Sequence, residues 1–159
     1  LLFKSDKVMS PYCYRCPFNR AKPERADART SRKCEWECVS RVEHKLSDAK
    51  RGRKPFASFV VEPLMQGAAG MIPQPEGWLG RVTELVRGHG AHVIADEVMT
   101  GFGRMGFQST GGSNTSSLFA SHLEGVQPDF LCMAKGMTGG YLPMAATLTT
   151  QPVFDAFLG

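Results

Sequence analysis

Three apolar segments, Phe59-Val60-Val61, Ala91-His92-Val93-Ile94-Ala95 and Phe130-Leu131-Cys132-Met133-Ala134, each run into a charged residue and then a glycine-rich stretch. Apolar runs this short, bounded by turn residues, read as buried strands. Between them, Trp78, Leu79, Val82, Leu85 and Val86 recur at helical spacing over Glu76 to Arg87 behind Pro75, and Leu118 to Glu124 reads as a shorter helix. Strands alternating with helices predict an α/β layer fold with a mostly parallel sheet and flanking helices. In open sheets of that kind ligands gather beyond the carboxyl ends of the strands, so the three charged ends are where chemistry is expected.

Lys135 follows the third strand and is the only lysine after Lys54. Burial there would strip an ammonium of its hydration and favour the neutral amine, the form that attacks a carbonyl. The plainer alternative is a lysine that caps a strand end with its amine in water. Asp96 closes the second strand, and Glu62 closes the first ahead of Gln66-Gly67. A lysine and an acid converging from two strand ends suit pyridoxal phosphate, whose aldehyde the lysine holds as a Schiff base while the carboxylate keeps the pyridine nitrogen protonated. For Asp96 alone, capping of the following turn competes with that role.

In chain order, Glu62-Pro63 with Gln66-Gly67, Ala95-Asp96-Glu97 with Gly101-Phe102-Gly103-Arg104, and Ala134-Lys135-Gly136 resemble the class III pyridoxal-phosphate aminotransferases over residues 56 to 159. Thr138 to Met144, Ala145 to Thr150 and Pro11 to Phe18 resemble the branch of that family which aminates 8-amino-7-oxononanoate in biotin synthesis. The resemblance implies the central part of a large domain of the aspartate-aminotransferase type, fold type I. It implies a two-stage transamination, in which S-adenosylmethionine or lysine leaves nitrogen on the cofactor and 8-amino-7-oxononanoate collects it. Residue by residue, it makes Lys135 the catalytic and cofactor-holding amine, sets Asp96 at the ring nitrogen, packs Val98 on the ring one strand alternation further on, and puts Gln66 near the ring hydroxyl. Ala68 stands where relatives that use glutamate as donor place a glutamate, which argues against that donor. Glu62 and Arg104 read as a scaffold pair. Another class III enzyme acting on an ω-amine is the alternative within the family. A complete protein of this kind is expected to be a cytoplasmic homodimer, and a chain of 159 residues to be a central portion of its subunit, inactive alone.

Residues 1–54 hold 15 of the 19 Lys and Arg and 7 of the 15 Asp and Glu, a net +8 against −4 for the remainder. The contrast divides the chain into a basic, cysteine-containing loop and helix segment, 1–54, and the cofactor-domain portion, 55–159. A nucleic-acid partner is one reading of the basic end. The cations are scattered with few aromatics between them, which instead favours a solvated loop and an exposed helix near Val39 to Lys50. Cys13, Cys16, Cys34 and Cys38 form two close pairs, and two pairs can grip opposite edges of a tetrahedral zinc ion. Reduced thiols on a surface loop are the other reading, a stable disulfide being disfavoured in the cytosol. Zinc and nucleic acid together would make the protein a non-catalytic binding module on an enzyme remnant. Cys132 reads as a small core residue.

Residues 107–117 are polar and glycine-rich, and read as an inserted surface loop. Gly101-x-Gly103-x-x-Gly106 fits the dinucleotide fingerprint, but that turn must open directly into a helix, and this one enters the polar stretch. No apolar stretch reaches membrane-spanning length and no internal repeat is present.

Overall fold

The computed structural model describes residues 4–21, 29–106 and 117–159. Its strands are β1 (Ser58–Val61), β2 (Met65–Gln66), β3 (Ile72–Pro73), β4 (His92–Asp96), β5 (Phe130–Met133) and β6 (Ala146–Thr149). Its helices are α1 (Glu37–Arg51), α2 (Trp78–Gly88), α3 (Ala120–Leu123), α4 (Lys135–Thr138) and α5 (Gln151–Asp155). One sheet has the order β1-β4-β5-β6, with β1 and β4 parallel, β4 and β5 parallel, and β6 antiparallel to β5. The mostly parallel sheet with flanking helices is therefore present, and β2 pairs with β3 in a separate antiparallel ribbon. The expected loop at 107–117 lies, apart from Ser117, outside the described residues.

In β4, Val93 and Ala95 point into the core while His92 stays exposed, the alternation that follows from the two-residue pleat. Helix α2 begins at Trp78 rather than Glu76 because Gly77 takes a left-handed φ of +77°, which glycine adopts without a Cβ clash. Its open amino end is satisfied from a distance: the Glu124 carboxylate accepts from the Gly77 amide at 2.7 Å and from Arg29 at 2.6 Å.

Helix α1 departs from the exposed helix expected near Val39 to Lys50. Cys38, Val42 and Leu46, spaced four residues apart on one face, enter the same core as Val61, Trp78, Leu79, Val82, Val86 and Val93. Removing a side chain such as Leu46 from water is worth about 1.5–3 kcal/mol, so the exposed stripe of charges hides a helix held by its apolar one. The basic residues are also less solvated than their scatter implies. Trp36 lies between the guanidinium groups of Arg32, 3.5 Å from the ring centroid, and Arg81, at 4.7 Å, and Arg41 stands over Phe18. Among the described residues no helix is long and apolar enough to cross a membrane.

Candidate active site

The sheet register sets the spacing of the charged strand ends. Asp96 pairs with Cys132, and the Glu97 amide extends the ladder by donating to the Cys132 carbonyl at 2.9 Å. Val61 pairs with Ala95, so Glu62 and Asp96 leave the sheet at the same level, with Lys135 three residues beyond Cys132. The loops that follow these strands interlock. A Cβ on Gly67, after β1, would meet Met99 Cε at 2.7 Å, and a Cβ on Gly136, after β5, would meet Phe102 Cβ at 2.7 Å. Met99 and Phe102 both belong to the loop after β4, which thus touches its neighbours on either side. Phe102 itself has φ +60°, a left-handed conformation uncommon for an aromatic residue, and its ring packs edge-on to Phe119 at 5.7 Å.

Glu97 anchors this loop. Its side chain is fully buried; Oε2 accepts from Thr100 Oγ1 at 2.7 Å and the Ala120 amide at 3.0 Å, and Oε1 from the Ser121 amide at 2.7 Å. The first loop is held similarly, with Glu62 Oε2 accepting from the Gly67 amide at 2.8 Å. Buried Gln74 bridges Leu64 N and Glu62 O across the base of that loop. The expected pairing of Glu62 with Arg104 is absent: Glu62 is turned to Gly67, and Arg104 is exposed and joins no ion pair among the described residues. Residues 101–105 are turns with no helix opening among them, unlike a dinucleotide fingerprint, which opens directly into one.

The remaining site residues differ in how far they follow expectation. Asp96 is half-buried and its Oδ1 accepts from the Val98 amide at 3.1 Å, leaving Oδ2 without a protein partner among the described residues. Val98 does not sit one alternation further along the strand, because β4 ends at Asp96 and Val98 lies in the turn that caps it. Lys135 is exposed rather than buried and forms no ion pair among the described residues. Gln66 Oε1 is shielded from solvent yet has no hydrogen-bond donor among the described residues. An acceptor without a donor, a carboxylate oxygen without a partner and an unpaired amine, on three adjoining loops, fit a group bearing a hydroxyl, a protonated ring nitrogen and an aldehyde. The contacts of Met99, Phe102 and Glu97 were not legible beforehand. Phe102 between two glycines was the single local signal of close packing.

The four amino-terminal cysteines are all free thiols, and among the described residues no group of three or more His, Cys, Asp or Glu is arranged to hold a metal ion. They are nonetheless neighbours. Burial first, then Cys34 and Cys16, push the Cys13 thiol above its ordinary value. Burial, then Cys13, Cys16 and Cys34, push Cys38 up to about 11.

The family model for "Aminotransferase class-III" matches residues 4–159. The chain belongs to the class III aminotransferases. Among curated members of that family, the adenosylmethionine-8-amino-7-oxononanoate aminotransferase of Geobacter sulfurreducens is 45% identical over the whole of this chain and 30% of its own length. Its counterpart in Methanocaldococcus jannaschii is 37% identical, with 100% of this chain and 32% of that protein covered. The chain thus spans about a third of the length of these class III relatives. Of solved structures, an ω-transaminase from Pseudomonas jessenii in complex with PMP superposes with a TM-score of 0.72 at 30% identity, covering 95% of this chain and 29% of that one. A Bacillus anthracis aminotransferase gives 0.72 at 33% identity, covering 96% and 29%. The α/β sheet and its helices are those of the class III, fold type I architecture.

Proposed function

We propose that this chain is the lysine-bearing central portion of a pyridoxal-phosphate aminotransferase that converts 8-amino-7-oxononanoate to 7,8-diaminononanoate. The observation that carries the reading is the interlock of the three strand-end loops, which brings Gln66, Asp96 and Lys135 onto adjoining segments. Bound there, pyridoxal phosphate supplies an aldehyde that takes up amines and a ring that accepts an electron pair. Lys135 Nζ would hold the cofactor at rest and would be the base that moves a proton at the donor carbon. Asp96, its carboxylate oriented by the Val98 amide on Oδ1, would keep the ring nitrogen protonated through Oδ2. Gln66 Oε1 would accept from the ring hydroxyl, and Val98, placed in the turn after Asp96, would pack against the ring.

S-adenosylmethionine or lysine is the amino donor in this reading: Ala68 stands where glutamate-using relatives place a glutamate, and the relatives above are named for adenosylmethionine. The complete protein works as a cytoplasmic homodimer, residues 55–159 contributing to the cofactor domain and 1–54 forming the segment docked on it through α1. An ω-amine substrate is the second reading, favoured by the ω-transaminase likeness at 30% identity against 45% for the biotin-pathway relative.

The test is borohydride reduction of the purified protein with pyridoxal phosphate, peptide mass spectrometry, and a Lys135→Ala control. A single adduct at Lys135 is expected. Adducts spread over the lysines of residues 1–54, or none on a folded chain, would sink the assignment of this chain's lysine. Product analysis of the full-length protein with 8-amino-7-oxononanoate, and either donor, then separates the two substrate readings.

A further inference from the structure

Away from the strand-end loops, the molecule gathers thiols for which transamination has no use. Asn19 assembles them. Its Nδ2 donates to the Cys13 carbonyl at 3.0 Å and the Ser31 carbonyl at 3.4 Å, while its Oδ1 accepts from the Lys33 amide at 2.8 Å. The Arg20 amide adds a bond to the Lys33 carbonyl at 3.0 Å. One amide side chain therefore clamps the backbone of Cys13 to the segment that leads directly into Cys34. The two cysteines differ in setting. Cys34 is half-buried and its Sγ accepts from Arg32 Nη1 at 3.5 Å, whereas Cys13 is 6% exposed. Cys34 is also the first of the thiols whose charge pushes Cys13 up, in keeping with the Asn19 clamp.

We propose that Cys34 and Cys13 form a thiol–disulfide exchange site for a small-molecule disulfide, with Cys34 attacking and Cys13 resolving. A partly exposed sulfur beside a guanidinium has the surroundings of a reactive cysteine, and a buried thiol next to it is out of reach of reagents but not of its neighbour. The Cys34 thiolate attacks one sulfur of the reagent RSSR; the S–S bond breaks, one RS⁻ leaves and a mixed disulfide remains on Cys34. The Cys13 thiolate then attacks Cys34 Sγ and expels the second RS⁻. Two protein thiols are oxidised to one disulfide, RSSR is reduced to two RSH, and the two cysteine protons end on the two leaving sulfurs. The new bond ties the loop around Cys13 to the segment entering α1, and thiols return it to the open state, as suits a compartment in which disulfides are transient. The inference is independent of cofactor chemistry, since it concerns the face built from α1 and the amino-terminal loop.

The experiment incubates the reduced full chain with oxidised glutathione and maps the products by non-reducing peptide mass spectrometry. The expected result is loss of two hydrogens and one cross-linked peptide pair, Cys13 to Cys34, reversed by dithiothreitol. Cys13→Ser should accumulate glutathione on Cys34, and Cys34→Ser should give neither product, with circular dichroism confirming that both variants fold. A cross-link in any other pairing in the unsubstituted chain overturns the proposal. So does glutathione that persists on Cys34, an unmodified folded chain, or stoichiometric zinc that shields all four thiols.

Discussion

Gly136 lies directly against Phe102, so close that a Cβ at position 136 would stand 2.7 Å from Phe102 Cβ and nearer still to the ring carbons. The residue next to Lys135 is thus fitted to the loop that follows Asp96. The acid and the amine are connected by packing as well as by strand pairing.

Gly136→Ala is therefore expected to destabilise the protein by about 1–3 kcal/mol, the usual cost of overpacking, because the clashing atoms belong to a ring base and cannot swing away. Urea denaturation would measure it. Adding Phe102→Ala should recover part of the loss, and a neutral Gly136→Ala would mean that the ring is not held over position 136.

Glu97→Ala removes the acceptor of two backbone amides and one hydroxyl inside the core. With each abandoned buried donor costing about 1–3 kcal/mol, the unfolding free energy should fall by about 3 kcal/mol or more. Thermal and urea midpoints should drop together, and protection of the Ala120 and Ser121 amides against hydrogen exchange should be lost first.

Asp96→Asn should behave differently. The amide can still accept from Val98 N, so stability is expected to stay within about 0.5 kcal/mol. In the full-length protein turnover should nevertheless fall about 10²–10³-fold, the range for losing one preorganised electrostatic partner. A variant that loses stability but keeps turnover would reverse the assignment of Asp96.

Cys38 makes stability depend on pH at the alkaline end. Its folded value of about 11 lies above the ordinary 9.0, so the folded state holds this proton more tightly than the unfolded chain does. That contribution is complete below about pH 9 and is lost as pH rises through about 11. The urea midpoint should decline across this window, and Cys38→Ala should flatten the decline.

Much of the sheet was readable because period-two burial and turn glycines are written locally: Val93, Ala95 and Leu131 alternate as expected, and each strand ends within a residue or so of its charged terminus. The ordered acid, glycine and lysine motifs likewise pointed to the family. What escaped was set by partners far along the chain. The core face of α1 depends on α2, about forty residues away, and its charged sequence disguised Val42 and Leu46. The burial of Glu97 depends on Ala120 and Ser121. The strand alternation invoked for Val98 failed because Asp96 captured the Val98 amide and turned the chain. The exposure of Lys135 reflects what surrounds it within these residues, which no local pattern encodes.

Trp36 and Trp78 are the only tryptophans of the chain; Trp78 lies inside the hydrophobic core and Trp36, half-buried, packs against its edge. Trp78 is 1% exposed among aliphatic side chains, whereas Trp36 is held between two guanidinium groups at the entrance to α1. The protein therefore carries two intrinsic fluorophores, one inside the core and one where the amino-terminal segment meets it. The first emits from an apolar medium until the core melts, while the second changes its spectrum as soon as the amino-terminal segment lets go.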